Sequence, residues 1–98
     1  MNKEFLITRT DGNWFDLHVS QFAEVLRPSS FPSQPVEGLG DHGIEVKGCL
    51  ISFSYEDPGI QICFEGQTLT DTEALRIVTE IAESITRATG QKSRVVSL

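Results

Sequence analysis

The chain has few of the residues that supply reactive groups or cross-links: its 98 residues include two cysteines, two histidines, one tryptophan and one tyrosine. Two cysteines cannot build the disulfide framework of a small secreted scaffold. Two histidines without HxxxH or HExxH spacing exclude the common zinc motifs. The sequence therefore predicts no metal site, no cofactor and no catalytic centre of a recognised type.

Basic residues are also scarce, because eight lysines and arginines face fourteen acids and leave a formal net charge of -6. An acidic surface repels nucleic-acid phosphates and anionic lipid headgroups. Apolar runs fall far short of the roughly 20 residues that span a bilayer, and the N-terminal run FLI is too short for a signal peptide. We therefore expect a cytoplasmic protein that binds neither nucleic acid nor membrane, with a protein partner that is basic.

The remaining composition is that of an ordinary globular protein, with 39% hydrophobic and 22% charged residues. A chain of this length buries one core, since half of it would be too small to fold without cross-links. We expect a single α+β domain over residues 1–98, with a mainly antiparallel sheet of five to six strands packed on one long C-terminal helix. A short second helix completes the predicted order, which is roughly β-β-α-β-β-β-α-β.

The clearest pattern is a hairpin from Cys49 to Gly66, centred on Pro58 and Gly59. Proline and glycine at these positions are typical of the two central residues of a type II turn. Because side chains alternate along a strand, we expect Cys49 to face inward and Cys63 outward, as free thiols. The register centred on this turn predicts the following pairs: Tyr55 with Ile62, Phe53 with Phe64, Ser54 with Cys63, Glu56 with Gln61, and Ser52 with Glu65.

A helix is predicted from Thr70 to Thr89. Thr70 and Glu73 have the spacing of a capping box, and Gly90 suits the left-handed position that follows a helix. Apolar residues at helical spacing predict a broad buried stripe, made of Leu75, Val78, Ala82 and Ile85, joined by Ala74, Ile77 and Ile81. A last strand, Ser93 to Leu98, is expected at an edge or in the centre of the sheet.

A second hairpin is predicted at the N-terminus, with strands Glu4 to Arg9 and Asn13 to Ser20 on either side of Asp11-Gly12. A three-residue loop with a left-handed Gly12 gathers the large apolar side chains on one face. The other face then carries Trp14, Asp16 and His18, near Glu4, Leu6 and Thr8. The predicted pairs are Phe5 with Leu17 and Ile7 with Phe15.

Beyond this hairpin, Ser20 is predicted to cap a short helix that Pro28 ends, with Phe22, Val25 and Leu26 at helical spacing. Residues 28–43 follow as a loop rich in proline and glycine. Loops of this length in small domains are more often functional than simple connectors.

Asp41 and His42 form the pair most suggestive of catalysis, because a carboxylate can orient an imidazole for general-base work. No Gly-x-Ser-x-Gly turn accompanies them to supply a nucleophile, and Asp-His-Gly is also a common turn sequence. Cys63 has neutral and acidic predicted neighbours, which do not favour a thiolate. We therefore expect no enzyme, and a small enzymatic or ligand-binding domain at Asp41, His42 and His18 is a third hypothesis.

Trp14 is the more informative residue, since its predicted face lies away from the apolar side chains of its own hairpin. Either another part of the fold covers this tryptophan, or it is an aromatic anchor for a partner, surrounded by acids. The candidate partner-binding residues are Trp14, Asp16, Phe31, Asp41, Glu56 and Asp57.

The ISFSYEDPGIQICFEG hairpin, the acid-capped helix and the closing TGQKSRVVSL strand resemble small α+β immunity proteins of bacterial polymorphic or contact-dependent toxin systems. The resemblance extends over roughly residues 41–98. It implies a cytoplasmic, non-enzymatic protein that binds and neutralises a cognate toxin, often a basic nuclease, through acidic and aromatic surface residues. No functional residue is carried over by motif, because such families diverge at the surface that faces the toxin.

The alternative hypothesis is a secretion chaperone, or a small structural or assembly subunit, that acts as a homodimer. Such a domain would dimerise through its helix and hold an extended segment of its client against its sheet. The sequence leaves the monomer and the homodimer both open.

Overall fold

The computed structural model describes residues 2–56 and 58–98, which form one six-stranded antiparallel sheet with its helices on one face. In chain order the elements are β1 (Asn2–Arg9), a 3₁₀ turn (Val19–Gln21), α1 (Phe22–Val25), β2 (Gln34–Pro35), β3 (His42–Val46), β4 (Cys49–Glu56), β5 (Gly59–Glu65), α2 (Asp71–Thr89) and β6 (Ser93–Ser97). The strand order across the sheet is β2-β3-β4-β5-β1-β6. The predicted α+β class, the long C-terminal helix and the short second helix are confirmed.

The core lies between α2 and one face of the sheet. Alternate residues of the central strands are fully buried there, among them Ile51, Phe53, Ile62 and Phe64. No helix covers the opposite face within the described residues, and this open face carries shorter or polar side chains such as Ser52 and Cys63. Amphipathic alternation with period two thus produces a sheet with one buried and one wetted side.

The hairpin of β4 and β5 is confirmed, but its register differs from the prediction by two residues. Glu56 pairs with Gly59, so Gly59 begins β5 instead of occupying a turn, and its φ is not positive. A side chain at residue 59 would collide with the carbonyl oxygen of Ile7 on β1, so this glycine is required by the close approach of a third strand. The observed pairs are Tyr55 with Ile60, Phe53 with Ile62, Ser54 with Gln61, Ser52 with Cys63, and Leu50 with Glu65.

A shift of two residues keeps every side chain on its predicted face. Cys49 is buried on the core side and Cys63 is half-buried on the open face, and both are free thiols. The expectation of two unpaired cysteines on opposite faces is therefore confirmed.

The predicted N-terminal hairpin is wrong. β1 lies between β5 and β6, where Phe5 pairs with Ile62 on one side and Ser97 on the other. Residues 13–18 cross the end of the sheet without strand pairing. The reason is competition from a distant part of the chain, because β6 occupies the edge of β1 that the second hairpin strand would have used. The observed order of elements is β-α-β-β-β-β-α-β.

Alternation nevertheless survives in residues 13–18. Phe15 and Leu17 are buried, whereas Trp14, Asp16 and His18 are exposed. The turn before them has Gly12 in the left-handed region, as predicted, with φ 81°. The local pattern was therefore informative about burial although the pairing inferred from it was wrong.

The helical segment around α1 is capped by His18 and not by Ser20. The Ser20 N–H donates to the His18 Nδ1 at 3.1 Å, and the His18 side chain thereby takes the position predicted for serine. Phe22 is buried, and Pro28 lies beyond the end of the helix as expected. The following region, predicted as a loop through residue 43, contains β2 and the first residues of β3.

The boundaries of α2 agree with the prediction. The Thr70 side chain accepts a hydrogen bond from the Glu73 N–H at 3.1 Å, and Gly90 is left-handed with φ 72°. Leu75, however, is 52% exposed and does not belong to the buried stripe. The helix presents Ala74, Ile77 and Ile81 to the core, and its Leu75 side lies beside β6 at the edge of the sheet.

The last strand, β6, pairs with β1 and forms an edge of the sheet, which decides between the two positions left open by the sequence. Within the described ranges, no helix has both the length and the apolar character required to cross a membrane.

Candidate functional site

Tyr55, near the end of β4, organises the segment that connects β1 to α1. Its hydroxyl donates a hydrogen bond to the carbonyl oxygen of Leu17, and its ring packs on Phe22 with centroids 5.2 Å apart. Trp14 contacts the outer side of the same ring in an edge-on arrangement, with centroids 5.7 Å apart and planes at 61°. Because 48% of Trp14 is exposed, its indole forms part of the surface and is supported from beneath by the tyrosine.

Two carboxylates lie beside this aromatic pair. Asp41 accepts the Tyr55 N–H at 2.9 Å and donates its own N–H to the Phe53 carbonyl oxygen at 2.9 Å. Asp16 is exposed, and its N–H donates to the Gln91 side-chain oxygen at 2.9 Å. Burial raises the pKa of Tyr55, and the negative charges of the two aspartates raise it further, which is consistent with their proximity to the phenol.

The backbone of Trp14 is held without strand pairing. Arg9 donates from Nη1 to the Trp14 carbonyl oxygen at 2.9 Å, and it forms an ion pair with Asp11. Asp11 in turn accepts the Asn13 N–H at 3.0 Å, and this backbone hydrogen bond is the main reason that its pKa is lowered. A short network of side-chain to backbone bonds therefore fixes the position of the indole.

We use the name Trp14 patch for the surface formed by Trp14, Asp16, Asp41 and Tyr55. Three of these residues were predicted as partner-binding, and the fold brings them together from two loops. Tyr55 was missed because its position on the apolar side of β4 indicated a core residue. Its hydroxyl was the available signal, since a polar group on a buried face requires a partner.

The other predicted partner-binding residues lie elsewhere. Phe31 is half-buried against the core, in a groove that also contains Arg27 and Arg87. Glu56 is exposed at the end of β4, and alternation with Tyr55 directs it toward the open face. Asp57 lies outside the described residues.

Asp41 and His42 do not form an acid–base pair. The Asp41 carboxylate binds the Tyr55 N–H, while the His42 ring stacks on Phe53 with centroids 5.9 Å apart. The buried Nε2 of His42 has no hydrogen-bond partner among the described residues, and burial lowers the pKa of this histidine. His18, the other histidine of the third hypothesis, caps the α1 segment.

Cys63 is poorly suited to nucleophilic chemistry. Its Sγ lies 3.4 Å from a Glu4 carboxylate oxygen, which also accepts a hydrogen bond from Gln61 at 2.6 Å. Burial raises the pKa of the thiol, and the hydrogen bond and charge of Glu4 raise it further. A protonated thiol is a weak nucleophile.

Metal ligands are not clustered in the part of the chain that the structure describes: no three His, Cys, Asp or Glu side chains lie together so as to hold an ion. Comparisons of the chain with protein-family models, curated proteins and solved structures find no match. The Trp14 patch and the acidic charge of the chain are the features that bear on function.

Proposed function

We propose that this chain is a non-enzymatic protein-binding module, an immunity protein that binds and neutralises a cognate basic toxin in the bacterial cytoplasm. The observation that carries the proposal is the half-exposed Trp14, supported by Tyr55 and flanked by Asp16 and Asp41. Buried aromatic anchors contribute much of the affinity of protein interfaces. Complementary charge chiefly raises the association rate and selects the partner.

The way in which the patch is held supports the same proposal. Three hydrogen bonds fix the irregular segment in the free protein: its Trp14 carbonyl accepts from Arg9, its Asp16 N–H donates to Gln91, and its Leu17 carbonyl accepts from Tyr55. A surface that is already ordered loses less conformational entropy when a partner binds. The net charge of -6 extends the attraction for a basic protein beyond the patch.

The test begins with affinity capture of the tagged chain from a lysate of its own cells at low salt. A captured basic protein is then purified and titrated against the chain. Trp14→Ala is expected to weaken the binding free energy by at least about 2 kcal/mol, which raises Kd roughly 30-fold. Leu98→Ala removes an exposed apolar side chain beside Glu4, at the other end of β1 from the Trp14 patch, and is the matched control.

Charge is tested in the same titration. Asp16→Lys is expected to slow association and to reduce its salt dependence, because it reverses a charge within the patch. Glu24→Lys changes the net charge of the chain equally at an exposed position of α1 and controls for the global effect.

Two results would contradict the proposal. Unchanged affinity in both Trp14→Ala and Asp16→Lys removes the Trp14 patch from the interface. A captured partner whose toxic activity persists in the presence of an equimolar amount of the chain contradicts neutralisation.

The alternative, a homodimeric chaperone or assembly subunit, is favoured by a different observation. Leu75 is exposed on α2, although its spacing belongs to the apolar stripe of the helix. An apolar position that the monomer does not bury is typical of a helix that contacts a partner. A tight homodimer that binds an extended client peptide, with no effect of Trp14→Ala on that binding, would support this alternative over the immunity protein.

A further inference from the structure

The two edges of the sheet differ in construction. β2 is two residues long and contains Pro35, which has no backbone N–H to donate. β6 is five residues long and contains no proline. Short strands and prolines are devices that protect sheet edges from pairing with other chains. Of the two edges, that of β6 is therefore the one open to a further strand.

The hydrogen bonds at the ends of β6 show which of its backbone groups point outward. The Lys92 carbonyl accepts the Thr10 N–H at 3.1 Å, and the Leu98 N–H donates to the Glu4 carbonyl at 3.0 Å. In an antiparallel pair, every second residue bonds the same neighbour. The backbone groups that point away from β1 therefore belong to Ser93, Val95 and Ser97.

A groove flanks this edge on its helix side. Ser93 Oγ donates to the Ala82 carbonyl at 3.1 Å, so β6 lies directly against α2. The groove has a volume of about 430 Å³ near Val95, and a second hollow of about 290 Å³ contains Leu75 and Ser97. A strand added to β6 would cover Val95, which is half-buried in the monomer, and Leu75, which is 52% exposed.

We propose that the occupant of this edge is a second copy of the chain, whose β6 pairs antiparallel with the first about a two-fold axis at Val95. The helix-facing residues of β6 are serine, valine and serine, and they read the same in both directions. The axis therefore places Val95 opposite Val95 of the other copy, and Ser93 opposite Ser97. Every outward backbone group of the strand gains a partner, and the two sheets become continuous.

Charge also favours a second copy of the chain over a different protein with a strongly acidic or basic surface. Glu83 and Arg87 line the groove one helical turn apart. The Arg94 guanidinium lies on the other face of β6, where its Nε donates to the Thr8 hydroxyl at 3.4 Å. The two-fold axis runs the two α2 helices antiparallel, so the acid-then-base order of one helix meets the base-then-acid order of the other. This edge thus carries balanced charge, although acids outnumber bases by fourteen to eight in the whole chain. Contacts at this edge therefore add no like-charge repulsion to that between the net charges of the two copies.

Sedimentation velocity on the full chain at increasing concentration tests the proposal. The expected result is a doubling of the 10.9 kDa monomer mass. Val95→Lys places two lysines against each other at the axis and is expected to restore the monomer. Val96→Lys adds the same charge on the same strand, but its side chain points to the open face, and the dimer is expected to persist.

Hydrogen exchange on the unaltered chain provides a test that does not depend on the folding of a variant. The amides of Ser93, Val95 and Ser97 are expected to become protected as concentration rises. A monomer at every concentration, or a dimer in which these amides exchange freely, overturns the proposal. Protection that appears only after another protein is added also overturns it, because the occupant is then a strand of that protein.

The dimer does not rest on the immunity function. Trp14→Ala is expected to leave the sedimenting mass unchanged, since the indole contacts Tyr55 of β4 and does not line the β6 groove. Loss of toxin binding with an intact dimer, or the reverse, separates the two proposals.

Discussion

The hairpin–helix region, residues 49–90, and the connecting segment, residues 10–41, differ in how much regular secondary structure holds them in place. The first region buries complete side chains, among them Phe53 and Ile81, between regular strands and a helix. The second contains only one turn of 3₁₀ helix, one turn of α-helix and a two-residue strand among its described elements. Buried side chains such as Phe22 and Leu26 anchor it to the core, and specific polar contacts, such as the bond from Tyr55 to Leu17, fix its irregular residues. Burial builds the scaffold, and a few directed hydrogen bonds place the candidate binding residues on it.

The largest effect is expected in the scaffold. Ile81→Ala removes a fully buried side chain of α2 and should lower the free energy of unfolding by about 2–5 kcal/mol, since it leaves a cavity in the core. Urea denaturation followed by circular dichroism measures the change. Arg76→Ala, on the exposed side of the same helix, should lower the free energy of unfolding by less than about 1 kcal/mol. Equal losses in the two variants would mean that α2 is not packed on the sheet as described.

A smaller and more local effect is expected in the connecting segment. Tyr55→Phe removes the hydroxyl that donates to the Leu17 carbonyl oxygen and should lower the free energy of unfolding of this segment by about 1–2 kcal/mol. Trp14, the single tryptophan, reports on this segment by fluorescence. In the variant its emission should shift to longer wavelength at a lower urea concentration than the loss of circular dichroism.

Ser54→Ala, on the open face of β4, is the control for Tyr55→Phe and should keep the two transitions together. Coincident transitions in Tyr55→Phe as well would show that the connecting segment unfolds only with the scaffold, and would remove the distinction between the two regions.

The N-terminal cap of α2 should contribute about 1 kcal/mol to the free energy of unfolding. Thr70→Ala removes the side-chain oxygen that accepts the Glu73 N–H at the start of α2. Thr72→Ala changes the same residue type within the first turn, where it takes no part in the capping box, and should have little effect. Thermal unfolding of both variants measures the difference in stability between them. Equal stability of the two would show that the Thr70 cap does not stabilise the protein.

The smallest expected effect is a pH dependence at His42. Burial lowers its folded pKa below the ordinary value of about 6.5, so the unfolded chain binds this proton more readily. The stabilising contribution is complete above about pH 6.5 and decreases as pH falls toward the folded pKa. Unfolding free energies at about pH 7.5 and about pH 5.5 should therefore differ more in the unaltered chain than in His42→Phe.

His18→Asn removes the other histidine, leaves a residue that caps helices well, and should preserve this pH dependence. If the pH dependence of the unfolding free energy is lost in His18→Asn and retained in His42→Phe, it does not come from His42 and the prediction is wrong. Glu73 and Asp11, whose pKa values are lowered, act only at more acidic pH.

The scaffold was largely predictable from the sequence. The capping box at Thr70, the left-handed Gly90 and the alternation in β4 depend on residues close together in the chain, and they were found correctly. The hairpin register was not predicted correctly. Gly59 is required by its close approach to the carbonyl oxygen of Ile7 on β1, and not by the turn of its own hairpin.

The candidate site was predictable only in part. Alternation placed Trp14 and Asp16 on the face away from the apolar side chains and left the exposure of Trp14 open, and composition directed attention to acids. Neither signal could indicate that Asp41 would bind the amide of Tyr55, since no local pattern joins residues in two loops. Phe31 was predicted as partner-binding, and its ring is half-buried against the core.

By itself the sequence determined the periodic features of this protein: the faces of the strands, the limits of α2 and the acidic charge. These depend on side chains that follow each other within a few residues. Only the tertiary structure decided that β6 would take the edge of β1, that Leu75 would stay exposed, and that Trp14 would rest on Tyr55. Such features depend on which distant segments win the competition for the same strand edge and the same apolar face, and that competition is settled by the packing of the whole chain.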